Sequence, residues 1–147
     1  LKMNRELQRP IIEQFNGRWI KELGDGVMAS FNIVTDATNA AIKIKETCNA
    51  AKDFQLRIGI HLGEVVFEND DVFGDGVNIA SRIQSIANPG SIYISESVHN
   101  NVSNKQGIET RFVKQEVLKN VKEPVRIYEV ILSTASKSSD LTMREYL

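Results

Sequence analysis

The chain has 147 residues, 41% hydrophobic and 25% charged, with a formal net charge of −1. That size suits one domain with a real core, and the near-neutral balance excludes a global attraction to nucleic acid or an acidic membrane. No apolar run approaches the about 20 residues needed to cross a bilayer and no signal-peptide pattern is present, while the single Cys48 rules out an internal disulfide and fits a reducing, cytoplasmic compartment.

In chain order, Met3, Leu7, Ile11, Ile12 and Phe15 recur at helical spacing. Pro10 is expected to interrupt or restart that helix, and Asn16-Gly17 ends it. RWIKEL then alternates, with Trp19, Lys21 and Leu23 on one face and Arg18, Ile20 and Glu22 on the other. VMASF follows after Gly24-Asp25-Gly26, and Asp-Gly between two such runs predicts a hairpin. From Ile33 to Ala51, the residues Ile33, Ala37, Ala40, Ala41, Ile44, Cys48 and Ala51 form one stripe of an amphipathic helix.

FQLRIGI and GEVVFE read as a second strand pair. Val77, Ile79, Ala80, Ile83, Ile86 and Ala87 trace a helix stopped by Asn88-Pro89-Gly90. SIYIS is a short strand, ESVHNNV a short helix, and TRFVKQEVL and VRIYEVIL are closing strands. Residues 133–147 read as a polar tail or linker. The order β-β-α-β-β-α-β after a helix predicts an α+β fold with helices packed mainly on one face of the sheet.

Gly-Asp-Gly occurs twice. Asp25 in the first copy sits at a hairpin tip, where it reads either as a turn former or as an oxygen ligand for Mg²⁺. The second copy lies between a strand and a helix, and Asp75 reads as an N-cap. Beyond it, Asn78 and Arg82 stand four apart and share a helical face beside the Ile79, Ile83 and Ile86 core stripe. They read as solvated surface, or as an amide and a guanidinium near a positive helix end that suit a phosphate or ribose.

Taken together, GRWIKELGDGVMASF, LRIGIHLGEVV, DVFGDGVNIASRIQSIANPGSIYIS and LKNVKEPVRIYEV resemble, in order and spacing, the class III nucleotidyl cyclase catalytic domain. The resemblance runs over residues 1–132. It implies a ferredoxin-like α+β core with a mostly antiparallel sheet, and a head-to-tail homodimer with composite active sites. It further implies a nucleoside triphosphate substrate, for which Lys21 and Asp71 favour ATP, two Mg²⁺ or Mn²⁺ ions per site, and an upstream regulatory or sensor domain in a longer parent chain. By the same resemblance Asp25 is a metal ligand, Asn78 and Arg82 orient the ribose and stabilise the transition state, and Lys21 and Asp71 read the purine. Lys119 contacts the triphosphate, although Asn120 stands where the family usually has glycine.

Adenine offers an amino donor and ring-nitrogen acceptors. The Asp71 carboxylate accepts from the amino group and the Lys21 ammonium donates to a ring nitrogen, whereas guanine would set its carbonyl against Asp71. Guanylyl members resemble Glu and Cys at these two positions. The family's other metal aspartate lies on a strand before the first helix, in a stretch resembling DIVGFT, and nothing before Phe15 matches it. Its absence is expected to leave the neighbouring strands with open edges, the chain with weak or no activity, and its pairing abnormal. A cyclase-homology module that regulates by dimerising or binding nucleotide is the alternative. Of the remaining residues, His61 is expected to be structural at a turn, His99 a surface residue and Cys48 a small core residue. Trp19 and Phe73 are expected to pack rather than to stack on a base.

Overall fold

The computed structural model describes residues 2–23, 26–51 and 56–132. The first helix, α1 (Lys2–Gln14), runs on through Pro10 instead of breaking there. Proline removes a single internal bond, and Ile11 and Ile12 stay buried against the next helix, α2 (Val34–Ala51); tertiary packing outweighs the local penalty. The helix ends at Asn16, whose φ of 66° is left-handed. There the Asn16 amide donates to the Glu13 carbonyl at 3.1 Å and the Gly17 amide to the Ile12 carbonyl at 2.8 Å, satisfying carbonyls the last turn leaves free.

The described strands fall into three sheets. β1 (Arg18–Leu23) and β2 (Gly26–Ser30) form an antiparallel pair. The largest sheet has the order β3 (Ile58–Ile60), β6 (Ile92–Ser95), β8 (Val125–Ile131), β7 (Glu109–Glu116), antiparallel except for the parallel β3–β6 pair. β4 (Val66–Glu68) and β5 (Asp71–Phe73) make a separate hairpin. The expected pairing of FQLRIGI with GEVVFE is therefore corrected. Asn69 and Asp70, at φ 53° and 63°, close a two-residue turn that gives β4 a nearer partner, and β3 pairs with β6 instead.

β6 is central and all four of its residues are buried. On one face of its sheet, Ile92, Ile94 and Val130 pack with Ala41 of α2 and with Val98 and Val102 of α4 (Glu96–Val102). On the other, Tyr93 and Ile127 pack with Ile83 and Ala87, at the end of α3 (Asp75–Ile86). Helices thus lie mainly on one side, where α1 also docks on α2, and α3 covers the opposite side. Gly59 on β3 allows this close approach. A Cβ there would lie 2.5 Å from the Gln84 amide nitrogen and 2.7 Å from the Ala80 carbonyl oxygen.

Of the stripe assigned to α2, Ala40, Ala41, Ile44 and Cys48 are buried, but Ile33 precedes the helix and is 57% exposed. It sits beside a cavity of about 1190 Å³ lined by β2 on one side, β3 on another, and Ala37 and Ala40 of α2. β2 and β3 each end their sheet there, so two open strand edges meet the same groove. No helix among the described residues is long and apolar enough to cross a membrane.

Candidate active site

The site begins with an irregularity in β1. Trp19 pairs with Ala29 and Lys21 with Met28, so Ile20 is an extra residue, a β-bulge. Directly opposed residues share a face, and Ala29 and Met28 face opposite ways. Trp19 therefore turns to the core formed with Val27, Ala29 and the helices, while Lys21 joins Arg18 on the other face. The expected sharing of a face by Trp19 and Lys21 is corrected, because strict alternation holds only in a strand without a bulge.

Freed from the core, the Lys21 ammonium donates to Asp71 Oδ2 at 2.8 Å. Asp71 opens β5 directly after the Asn69-Asp70 turn, and its Oδ1 accepts the Val72 amide at 2.7 Å. The Lys21 hydrogen bond, and then the Val72 amide, hold the Asp71 carboxyl below the usual carboxylate range. Residues 50 apart in sequence thus form one ion pair, partly open to solvent.

Past β5, Gly74 adopts φ 126°, a conformation favouring glycine. Its carbonyl accepts the Val77 and Asn78 amides at 3.1 and 3.4 Å. Gly74, not Asp75, is the N-cap, which corrects the expected capping role. Asp75 is the first helical residue, and its carboxylate lies at the positive end of α3. On α3, Ile83 is buried, with Ile79 and Ile86 packed beside it. Asn78 is exposed and Arg82 half-buried. Neither side chain has a hydrogen-bonding or ionic partner among the described residues.

Lys119 is exposed in a turn closed by the Val121 amide on the Leu118 carbonyl at 3.0 Å. Asn120 takes φ 64°, a value asparagine tolerates, so the position usually held by glycine keeps a glycine-like backbone. Leu118 is buried in the cluster that holds Ile83, which anchors this turn to the α3 side of the sheet. Asp25 lies outside the described residues. The structure brings Lys21 and Asp71 into contact and sets Asn78 and Arg82 on a helix that starts two residues after β5. None of these four, nor Lys119, lines the large groove between β2 and β3.

Several features had no clear trace in the sequence. Arg18 lies 3.6 Å from Asp70 and 5.1 Å from the centre of the Phe67 ring; seeing this requires the bulge and the turn together. Lys45 is only 1% exposed and donates to the Leu56 carbonyl at 2.8 Å, and burial lowers its pKa. A lysine within an amphipathic helix reads as surface until its partner is seen. His99 is not the surface residue expected: its ring stacks on Tyr128 at 3.8 Å and Nδ1 meets Thr110 Oγ1 at 2.9 Å.

His61 Nδ1 meets Ser95 Oγ at 2.8 Å, Ser95 Oγ lies 3.0 Å from Ser97 Oγ, and Ser97 donates to the Leu62 carbonyl at 3.3 Å. Burial pushes the His61 imidazole pKa down. The chain of bonds ties the segment after β3 to α4. Cys48 is fully buried among α1 and α2, Trp19 packs in the same core, and Phe73 is half exposed opposite Val66. Among the described residues no group of three or more His, Cys, Asp or Glu side chains converges as a metal site.

Residues 4–132 match the adenylate and guanylate cyclase catalytic domain. The chain belongs to that family. A putative adenylate cyclase 3 of Rhizobium meliloti is 33% identical over 131 residues, covering 84% of this chain and 22% of that protein. A pH-sensitive adenylate cyclase of Mycobacterium tuberculosis is 28% identical over 116 residues, covering 76% of this chain and 29% of that protein. The cyclase chain thus spans between a fifth and a third of the length of these relatives. Among solved structures, an adenylate/guanylate cyclase/hydrolase from Silicibacter pomeroyi superposes with a TM-score of 0.81 at 33% identity, covering 88% of this chain and 82% of that one. The adenylyl cyclase CyaB of P. aeruginosa has a TM-score of 0.71 at 24% identity, over 86% of this chain and 77% of that one, a likeness of fold.

Proposed function

We propose that this cyclase domain acts on ATP, forming cyclic AMP and pyrophosphate through attack of the ribose 3′-oxygen on the α-phosphorus. The observation that carries the choice of nucleotide is the 2.8 Å contact between Lys21 and Asp71, which puts a donor and an acceptor side by side where a purine edge can meet both. Adenine satisfies the carboxylate through its amino group and the ammonium through a ring nitrogen. Guanine would leave Asp71 facing a carbonyl, an unpaired polar contact that costs binding.

Arg82 and Asn78 carry the rest of the chemistry done by this chain. The guanidinium neutralises charge gathering on the phosphoryl oxygens, and the amide orients the ribose so that the 3′-oxygen lies in line with the leaving group. Both side chains are without protein partners among the described residues, which suits groups that pair with substrate. Lys119 contacts the triphosphate. Two Mg²⁺ or Mn²⁺ ions, held by Asp25, a second aspartate and the phosphates, would lower the pKa of the attacking oxygen and offset the charge of pyrophosphate.

The active unit is a homodimer with two composite sites, the metal aspartates of one subunit facing Lys21, Asp71, Asn78 and Arg82 of the other. The second metal aspartate would be supplied by a strand that precedes α1. A second reading is a cyclase-homology module that regulates by dimerising or binding nucleotide. Extending the chain upstream with its native sequence and assaying ATP with Mn²⁺ separates the two. Cyclic AMP supports the enzyme; a folded dimer that makes none supports the regulatory module.

A further inference from the structure

The β4–β5 hairpin that carries Asp71 belongs to neither larger sheet. It has three residues in each strand, and its β4 residues are all exposed. A two-stranded ribbon this short does not hold a position by itself. Its tip is strongly acidic, since Glu68 pairs across the ladder with Asp71 and Asp70 sits in the turn between them. Like charges opposed across a ribbon destabilise it. What faces this tip is the basic side of β1, where the Ile20 bulge sets Arg18 and Lys21 on one face.

Arg18 touches the hairpin at two points. Its Nη2 lies 3.6 Å from Asp70 Oδ1, and its guanidinium carbon lies 5.1 Å from the Phe67 ring centre. One side chain therefore spans β4 and the turn, beside the strand position from which Lys21 reaches Asp71. We propose that Arg18, with Phe67 as its seat, is a positioning residue that fastens the hairpin to β1 and so sets the Lys21–Asp71 contact; its bearing on nucleotide choice rests on the adenylyl cyclase reading above. Arg18 touches no substrate in this scheme. It acts through the placement of Asp71, which meets Lys21 of β1, has Glu68 opposite and Asp70 adjacent on its own hairpin, and lies one residue from the Asp70 that Arg18 approaches.

The test uses the 147-residue chain and follows the Asp71 carboxyl titration by NMR in Arg18→Ala, Arg18→Lys and Phe67→Leu, each also in a Lys21→Ala background. Removing Arg18 or trimming Phe67 should raise the Asp71 midpoint toward its ordinary value, and Arg18→Lys should restore part of it. Both effects should vanish in Lys21→Ala, because they run through the Lys21 contact. Phe67→Leu removes no charge, so its shift cannot be a through-space charge effect, and it decides the matter if Arg18→Ala does not fold. An unmoved Asp71 midpoint in Phe67→Leu, or shifts that persist undiminished in Lys21→Ala, would overturn the proposal. Nucleotide binding is the second readout: Arg18→Ala should weaken ATP about three- to thirtyfold, the range expected for one cation–π contact and one exposed ion pair, and leave GTP unchanged. A native chain without any preference for ATP would sink the base-reading assignment, while the titration still judges Arg18.

Discussion

At the scale of single residues, Lys21 and Asp71 form a 2.8 Å ion pair, and a pH experiment follows from their bond. Asp71 has a folded pKa held below its ordinary 3.8. The unfolded chain therefore binds the extra proton first, so the pair's stabilisation is fully present above about pH 4 and is lost as pH falls through the lower folded value. Urea unfolding of the native chain and of Asp71→Asn should show a higher midpoint for the native chain at pH 7, and the gap should narrow below pH 3.8. A gap independent of pH would mean that the carboxylate does not interact with Lys21. The residue types were legible in the sequence through the resemblance, but their contact was not. Sequence alternation put Lys21 on the face of Trp19, and only a bulge at Ile20 releases it. Asn78 and Arg82 were easier, because helical spacing alone places them beside the buried Ile83.

The helices, and most of the closing strands, were legible as elements, since apolar periodicity survives in each. Pairing was the weaker reading. A run such as FQLRIGI carries no mark of which strand it meets, and the Asn69-Asp70 turn was hidden because neither residue is glycine. Positive φ at both is what folds β4 back on β5. Gly59 carries a sharper test at this scale. A methyl group there meets the α3 backbone, at Gln84 and Ala80, rather than any side-chain tip able to swing away. Gly59→Ala should cost about 1–3 kcal/mol in chemical denaturation by forcing α3 off β3. A variant as stable as the native chain would show that α3 has room to shift. Val is expected to be poorly tolerated at Asn120 for a different reason, since its φ of 64° lies where β-branched side chains are strained; the same unfolding assay checks it.

On the scale of the whole molecule, the split sheet is the feature that sequence patterning most nearly anticipated, through the strand the resemblance places between its neighbours. β2 and β3 do present open edges to one groove of about 1190 Å³. What no single-chain pattern supplies is the partner surface. Val66 and Phe73, paired across the hairpin, leave two exposed apolar side chains on one of its faces. Composite sites make a distinctive prediction for the upstream-extended chain. Asp25→Asn and Arg82→Ala should each abolish activity alone, yet an equal mixture should recover roughly a quarter of it, because half of randomly formed dimers are mixed and each of those keeps one intact site. No recovery on mixing would place all the catalytic groups within one subunit.

The proposed function depends above all on Lys21 and Asp71 together selecting adenine. The upstream-extended dimer, given equal concentrations of ATP and GTP with Mn²⁺, measures this directly through the ratio of the two cyclic products. Cyclic AMP should dominate, and Asp71→Ala should lower its yield while leaving the small cyclic GMP yield nearly unchanged. Equal yields from the native dimer, or an excess of cyclic GMP, would contradict it.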